Sequence, residues 1–292
     1  MSAGGVTGEK VPASQVVTAI AATDQPYAEV IGDPISHSKS PLIHRFWLEK
    51  LGIPADYRAT QVKPDDLPAF IARRRADPNW RGCNVTIPHK VAMLDLVDDP
   101  GGVRDSIGAM NTVVRGEGGG LFGTNTDAAG FYGPIADLDL AGQPVAIVGA
   151  GGAARAVLFA LSRMNVGKVT VLNRSPLKAA ALLGRFGLKG EALPLSARLP
   201  EAKLLVNTSA LGMTGQPPLD LDLLPLPPEA VVYDIVYAPL HTPLLDAAEA
   251  RGLETIDGLE MLVGQAAAAF ELFFGAPAPR EHDGELRERL LA

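Results

Sequence analysis

The chain has 292 residues, 47% hydrophobic and 20% charged, a composition that fits a soluble globular protein of one large or two ordinary domains and excludes a fibrous or disordered one. Its formal net charge of −7 argues against non-specific binding to nucleic acid or an acidic membrane surface, since both need a basic field. Cys83 is the only cysteine, so no intrachain disulfide forms and a reducing compartment fits.

Residues 1–26 lack the basic start and apolar core of a secretion signal and are expected to form a flexible tail. No window reaches the ~18 apolar residues of a spanning helix, because "VAIVGAGGAARAVLFALSRM" is broken by glycines and Arg155. A cytoplasmic location is the default expectation. From Tyr27 short apolar strands alternate with helices. "YAEVIG" reads as a strand, followed by a helix over "SPLIHRFWLEKLG" with Ser40 as N-cap, Pro41 at its first position and Gly52 past its end. "ADYRATQV" reads as a strand, "PDDLPAFIARRR" as a helix, "GCNVTI" as a third strand and "KVAMLDLV" as a further helix. The Arg73-Arg74-Arg75 run reads as one turn of a solvated helix. "NTVVRGEGGGLFGTNTD" looks like two strands around a glycine-rich turn.

A second α/β unit begins near Gln143. The strand "PVAIVGAGG" runs into a glycine turn, the helix "AARAVLFALSRM" follows, and "KVTVLN" is the next strand, making a βαβ unit. Further strands are expected at "KLLVNTS", "AVVYDIVY" and "LETID". The Ala-rich helix "EMLVGQAAAAFELFFG" follows, placed to pack back on the first unit. Two domains with a cleft between them is the expected architecture.

Gly149, Gly151 and Ala154 have the G-x-G-x-x-A form directly after a strand and at the opening of a helix. This context lets the backbone approach a pyrophosphate, whose charge sits on the exposed N–H groups of the helix start. An NAD site usually places a carboxylate at the end of the next strand to accept bonds from the ribose hydroxyls. Here that strand ends in Asn173-Arg174-Ser175, with Lys178 following. These groups welcome the 2′-phosphate of NADP, which a carboxylate would repel.

In the first unit neutral hydrogen-bonding side chains recur where elements end: Ser38 and Ser40, Asn84 and Thr86, Asn111 and Thr112, Asn125 and Thr126. Such groups suit a polyhydroxylated small molecule. Lys90 and Asp127 stand among them, either a structural ion pair or an acid–base pair. His89 competes with Lys90 for the proton-transfer role on its ordinary pKa, and spacing does not choose between them. Five histidines and one cysteine show no metal-ligand spacing, so no metal is expected.

The ordered stretches "VIGDPISHSKSPLIH", "NVTIPHK", "GAMNTV", "GTNTDAAGF", "GAGGAARAV", "NTSALGM", "YDIVYAPLHTPLL" and "DGLEMLVGQAA" resemble the shikimate dehydrogenases from about Tyr27 to Phe274. The resemblance implies a substrate domain with a mixed sheet (residues 27–127 plus 265–292) and a Rossmann-type NADP domain (residues 128–264). It implies reversible, NADPH-dependent reduction of 3-dehydroshikimate to shikimate on the chorismate and aromatic amino-acid route, in a monomer or homodimer. Lys90 falls on the family's catalytic lysine, with Asp127 as its partner, and His89 on a position that varies. Ser38 and Ser40 would hold the substrate carboxylate, Thr86 would contact the substrate, Asn84, Asn111, Asp127 and Gln265 would bind ring hydroxyls, and Tyr237 would lie beside the ring. Gly149, Ala150, Gly151, Gly152, Ala153, Asn173, Arg174, Ser175, Lys178, Ile235 and Gly258 would line the cofactor. Gly258 would let a nicotinamide ring approach closely. The alternatives are a quinate/shikimate dehydrogenase, which often carries an acidic residue at the ribose, a paralogue acting on an aminobenzoate-type substrate, and a dinucleotide-sensing module that turns nothing over.

Overall fold

The computed structural model describes residues 25–292. The expected tail, residues 1–26, therefore lies almost wholly outside the described residues. In chain order the elements are β1 (Tyr27–Gly32), α1 (Ser40–Leu51), β2 (Asp56–Gln61), α2 (Leu67–Ala76), β3 (Trp80–Val85), the single turn α3 (Val103–Ser106), β4 (Thr112–Arg115), β5 (Leu121–Thr124) and α4 (Asp127–Tyr132). They continue with β6 (Val145–Val148), α5 (Gly152–Ser162), β7 (Val169–Asn173), α6 (Pro176–Arg185), β8 (Gly190–Pro194), β9 (Leu204–Asn207), β10 (Val231–Asp234), α7 (Pro243–Glu249), β11 (Glu254–Ile256), α8 (Gly258–Phe274) and α9 (Asp283–Leu291).

The strands form two sheets. The first has the order β2-β1-β3-β4-β5, with β1 parallel to β2 and β3, and β4 antiparallel to both of its neighbours. The second is wholly parallel in the order β11-β10-β9-β6-β7-β8, a doubly wound arrangement that reverses direction between β6 and β9. The expected architecture of two α/β domains, one with a mixed sheet and one Rossmann-type, is the one observed.

Topology places the polar stretches. The C-terminal ends of β1, β3 and β5 and the N-terminal end of β4 share one edge of the first sheet. Residues 33–40, 84–90, 111–112 and 125–127 all emerge there. In the second sheet the C-terminal edge carries residues 149–153, 173–178, 207–211 and 235–237.

Helix α8 joins the two units. Its Met261 lies in the core of the second sheet with Ile147, Val157 and Tyr233. Leu259, Ala266 and Phe270 pack with Ile43 and Trp47 of α1, and Phe273 packs with Ala28, Val30 and Tyr57 of the first sheet. Near the middle of α8, Gly264 meets Gly130 of α4. A Cβ on Gly130 would come within 2.7 Å of the Gln265 nitrogen and the Met261 carbonyl oxygen, so the two helices cross almost backbone to backbone.

Three local expectations are corrected. Ser40 is the first helical residue of α1 and not its N-cap: Lys39 takes that place, in helical conformation and with no side-chain cap, while the Ser40 N–H donates to Ser38 Oγ at 3.3 Å. "KVAMLDLV" forms only a 3-10 turn at Ala92–Asp95. It buries Met93 and Leu94 and has no room to propagate before Asp-Pro-Gly-Gly. Arg74 is not a solvated residue: its guanidinium pairs at 2.6 Å with Glu29, which is wholly buried and also accepts from Trp80 Nε1 at 2.7 Å and Thr60 Oγ1 at 2.5 Å.

Candidate active site

Lys90 and Asp127 meet. Lys90 follows the turn after β3, Asp127 opens α4, and Lys90 Nζ donates to Asp127 Oδ2 at 2.5 Å. Both are largely shielded from solvent, with 14% and 6% of their side chains exposed. The other oxygen of Asp127 accepts from Asn111 Nδ2 at 2.9 Å. Asn111 is locked on its far side, because its Oδ1 accepts from the Thr126 N–H at 2.7 Å and from Thr112 Oγ1 at 3.1 Å. Its amide also faces Gln265 Oε1 at 3.4 Å, so the α8 residue does point into the cluster. Asn84 joins through Nδ2, which donates to Thr112 Oγ1 at 3.1 Å. Lys90, Asp127, Asn111, Gln265 and Asn84 thus form one hydrogen-bonded group.

His89, the rival proton carrier, turns the other way. It is 1% exposed and its Nε2 sits 2.7 Å from the Val62 carbonyl oxygen inside the first domain. Ser38 is half-buried on the loop after β1, Ser40 is buried as the first residue of α1, and Thr86 is half-buried just past β3. Among the described residues no hydrogen bond ties these three hydroxyls to the Lys90 group.

The cofactor-turn residues face the same region. Gly149 has φ +104°, a left-handed conformation that favours glycine, and a Cβ there would lie 2.8 Å from Thr208 Oγ1. Above Gly151 a Cβ would meet nothing within 4 Å, which leaves open space at the start of α5, where the first N–H groups have no intrahelical partner. Gly152 differs: a Cβ there would stand 3.3 Å from Lys90 Cδ and 3.5 Å from Lys90 Cβ. The lysine stem therefore lies directly on the glycine turn of the other domain.

At the end of β7, Arg174, Ser175 and Lys178 are exposed, and Asn173 Nδ2 donates to the Ser175 carbonyl oxygen at 2.9 Å. Asp234, buried at the end of β10, organises the neighbouring loops. Its carboxylate accepts from Asn207 Nδ2 at 2.9 Å, Thr242 Oγ1 at 2.8 Å and the Val236 N–H at 3.0 Å, and burial raises its pKa above the usual carboxylate value. These bonds fix the segment that carries Ile235 and Tyr237. Tyr237 is half-buried, and desolvation raises its phenol pKa. Gly258 is needed for contact within the chain, since a Cβ would stand 2.5 Å from the carbonyl oxygens of Ile235 and Val236. One group with possible metal-ligand geometry occurs among the described residues, His241, Asp246 and Glu249, and all three are exposed on the surface. No helix among the described residues is long and apolar enough to cross a membrane.

Comparison with known proteins decides the family. Residues 30–113 match the shikimate dehydrogenase substrate binding domain, residues 134–209 the shikimate / quinate 5-dehydrogenase family and residues 258–282 the shikimate 5′-dehydrogenase C-terminal domain. The shikimate dehydrogenase (NADP(+)) of Sphingopyxis alaskensis is 69% identical over 267 residues, covering 91% of this chain and 97% of the relative. The chain belongs to the shikimate dehydrogenase family. As a shikimate dehydrogenase family member it shares its fold with the shikimate 5-dehydrogenase of Thermus thermophilus, solved in complex with NADP(H) and shikimate. That protein is 39% identical with a TM-score of 0.79, and the match covers 91% of this chain and all of that one. The same fold also serves a 5-ketofructose reductase of a Gluconobacter strain, at 30% identity and a TM-score of 0.81 over 91% of this chain and 99% of that one.

Tyr57 also joins the hydrogen-bonded group, unmarked in the sequence. It lies on β2, wholly buried, with its hydroxyl donating to Asn84 Oδ1 at 2.6 Å. Nothing in "ADYRATQV" separates it from an ordinary core residue. Only the β2-β1-β3 order brings it beside Asn84.

Proposed function

We infer that the protein is an NADP-dependent shikimate dehydrogenase that interconverts 3-dehydroshikimate and shikimate on the route to chorismate and the aromatic amino acids. The observation that carries this reading is the Lys90–Asp127 pair at 2.5 Å, bonded into the Asn111 and Gln265 amides and lying against the glycine turn. A proton carrier, a set of neutral groups for ring hydroxyls and a dinucleotide turn converge in one place, as reduction of a polyhydroxylated ketone requires.

The residues fit NADP. The open space over Gly151 and the start of α5 suit a pyrophosphate, and exposed Arg174, Ser175 and Lys178 suit a 2′-phosphate with no carboxylate to repel it. When bound, the nicotinamide supplies or accepts the hydride. Lys90, as ammonium, protonates the carbonyl oxygen at C3 during reduction, and neutral Lys90 takes the proton back during oxidation. Asp127 holds the lysine in place with one oxygen and is itself held by Asn111 with the other. Asn84, Asn111, Asp127 and Gln265 bind ring hydroxyls, Ser38 and Ser40 hold the carboxylate, and Thr86 and Tyr237 flank the ring. Gly149 to Ala153, Asn173 to Ser175, Lys178, Ile235 and Gly258 line the cofactor.

The proposal includes the division into residues 27–127 plus 265–292 for substrate and 128–264 for NADP, a cytoplasmic location, and a monomer or homodimer that binds small molecules and not nucleic acid. Initial rates with shikimate and quinate, each with NADP and NAD, test it. Shikimate with NADP is expected to give the highest kcat/KM; preference for quinate or for NAD would replace it with a quinate/shikimate dehydrogenase, and no turnover of any of them would leave the paralogue with an aminobenzoate-type substrate or the sensing module.

A further inference from the structure

Tyr57 and His44 are buried aromatic residues that proton transfer and cofactor binding leave without a task. The Tyr57 ring stacks on the His44 imidazole, with centroids 3.9 Å apart and planes 4° from parallel, and neither residue has measurable exposure. Phe273 of α8 lies tilted against the Tyr57 ring at 6.3 Å. The ring is therefore held on its face and its edge, and its hydroxyl reaches one polar side chain, Asn84, at 2.6 Å.

An asparagine amide has two ends of nearly equal size and opposite hydrogen-bonding sense. At Asn84 the surroundings choose between them. The Asn111 carbonyl oxygen only accepts, and it lies 3.5 Å from Nδ2. That leaves Oδ1 facing Tyr57, whose phenol must donate, and burial raises its pKa well above the ordinary value, so the proton stays on the oxygen. The amide then passes its own donor to Thr112 Oγ1, which donates to Asn111 Oδ1, and Asn111 holds Asp127.

We propose that Tyr57 is a positioning residue for substrate: by donating to Asn84 Oδ1 it fixes the orientation of the Asn84 amide, and so which ring-hydroxyl geometry the pocket accepts. This rests on the reading of Asn84 as a substrate ligand. Without the phenol proton the Oδ1 end has no buried donor, and the amide loses the shortest of the three bonds that oppose its rotation, the other two being those of Nδ2 to Thr112 and to the Asn111 carbonyl. Tyr57 touches neither Lys90 nor the glycine turn by any hydrogen bond among the described residues, so its removal should act on substrate binding more than on the chemical step.

The test uses the full-length protein and steady-state kinetics of Tyr57→Phe, Asn84→Ala and the double variant, with shikimate and NADP varied separately. Tyr57→Phe is expected to raise KM for shikimate about 5- to 10-fold, in line with one lost buried bond, with kcat and KM for NADP close to wild type. The double variant is expected to be no worse than Asn84→Ala alone, because Tyr57 acts through Asn84. A second variant, 4-fluorophenylalanine in place of Tyr57, restores bulk at the hydroxyl position without its proton and reads the same bond should the phenylalanine variant not fold. An unchanged KM for shikimate in either folded variant, an equal rise in KM for NADP, or additivity with Asn84→Ala overturns the assignment. Wild-type protein that neither binds nor turns over shikimate overturns the functional reading instead, so the two failures are distinguishable.

Discussion

The two neighbours His89 and Lys90 differ in what surrounds them. His89 spends its ring nitrogen on the Val62 carbonyl oxygen inside the first domain, whereas Lys90 reaches Asp127 and rests on Gly152. Lys90→Ala is therefore expected to lower kcat by about 100-fold or more, the usual worth of a positioned acid–base group, with a much smaller change in KM. Stopped or continuous assays at saturating shikimate and NADP check this, and a near-normal kcat would remove Lys90 from the reaction. At the other end of the cofactor, Arg174→Ala should raise KM for NADP about 10- to 100-fold, the worth of one charge-assisted contact. It should leave the weaker activity with NAD nearly unchanged; an equal loss with both dinucleotides would mean that Arg174 does not contact the 2′-phosphate. Lys90, Asp127 and the Asn side chains stood out in the residues as candidates, because the chemistry of such groups at element ends is local, but only the family resemblance preferred Lys90 to His89. Glu29 and Arg74 did not stand out, since the pair joins positions 45 apart in the chain and the three-arginine run looks solvated until β1 is placed under it. Tyr57 was hidden for the same reason.

At the level of elements, the strands and helices with clear apolar periods and glycine or proline punctuation fell where the pattern put them: β1, α1, β6, α5, β7 and α8. The run before Pro100 did not. Its apolar spacing is helical, yet between Pro88 and Pro100 it forms only the 3-10 turn Ala92–Asp95, which turns Met93 and Leu94 into the core. Equally invisible was the crossing of α4 and α8 through Gly130 and Gly264, which no local pattern announces. That crossing sets the distance between Asp127 at the start of α4 and Gln265 on α8. Gly130→Ala places a Cβ within 2.7 Å of α8 backbone, so the helices must separate. The expected outcome is a loss of about 1–3 kcal/mol of stability by denaturant titration together with a raised KM for shikimate. Wild-type values for both would show that the helices part without moving the site.

Across the whole molecule, stability should depend on pH through His44, whose ring nitrogens have no hydrogen-bond partner among the described residues. Complete burial pushes its pKa down from 6.5 to about 3. Below pH 6.5 the unfolded chain binds a proton that the folded chain refuses, so stability falls as pH falls, and this contribution ends near pH 3. The slope from one such group is about 1.4 kcal/mol per pH unit. His44→Phe, which keeps an aromatic ring against Tyr57, should flatten that slope between about pH 6 and 4 in denaturant titrations; an unchanged slope would mean that the imidazole becomes protonated without unfolding. Away from α4 and α8 the two domains also touch directly. Arg185 of α6 donates to the backbone carbonyls of Arg104 and, at 3.0 Å, Asp105, and Lys90 lies on Gly152.

Helix α8 begins in the core of the second sheet and ends in that of the first, which also gives the protein a schedule. During synthesis the first domain leaves the ribosome early, yet the helix that covers its sheet and fills the gap beside α1 is encoded after the entire nucleotide-binding sheet. The substrate side must wait, with Ile43, Trp47 and Val30 uncovered, until the cofactor side has been made. The pocket is thus completed last, and a chain that stops short of α8 lacks at once Gln265, the cover over the first sheet's core and the Met261 plug of the second.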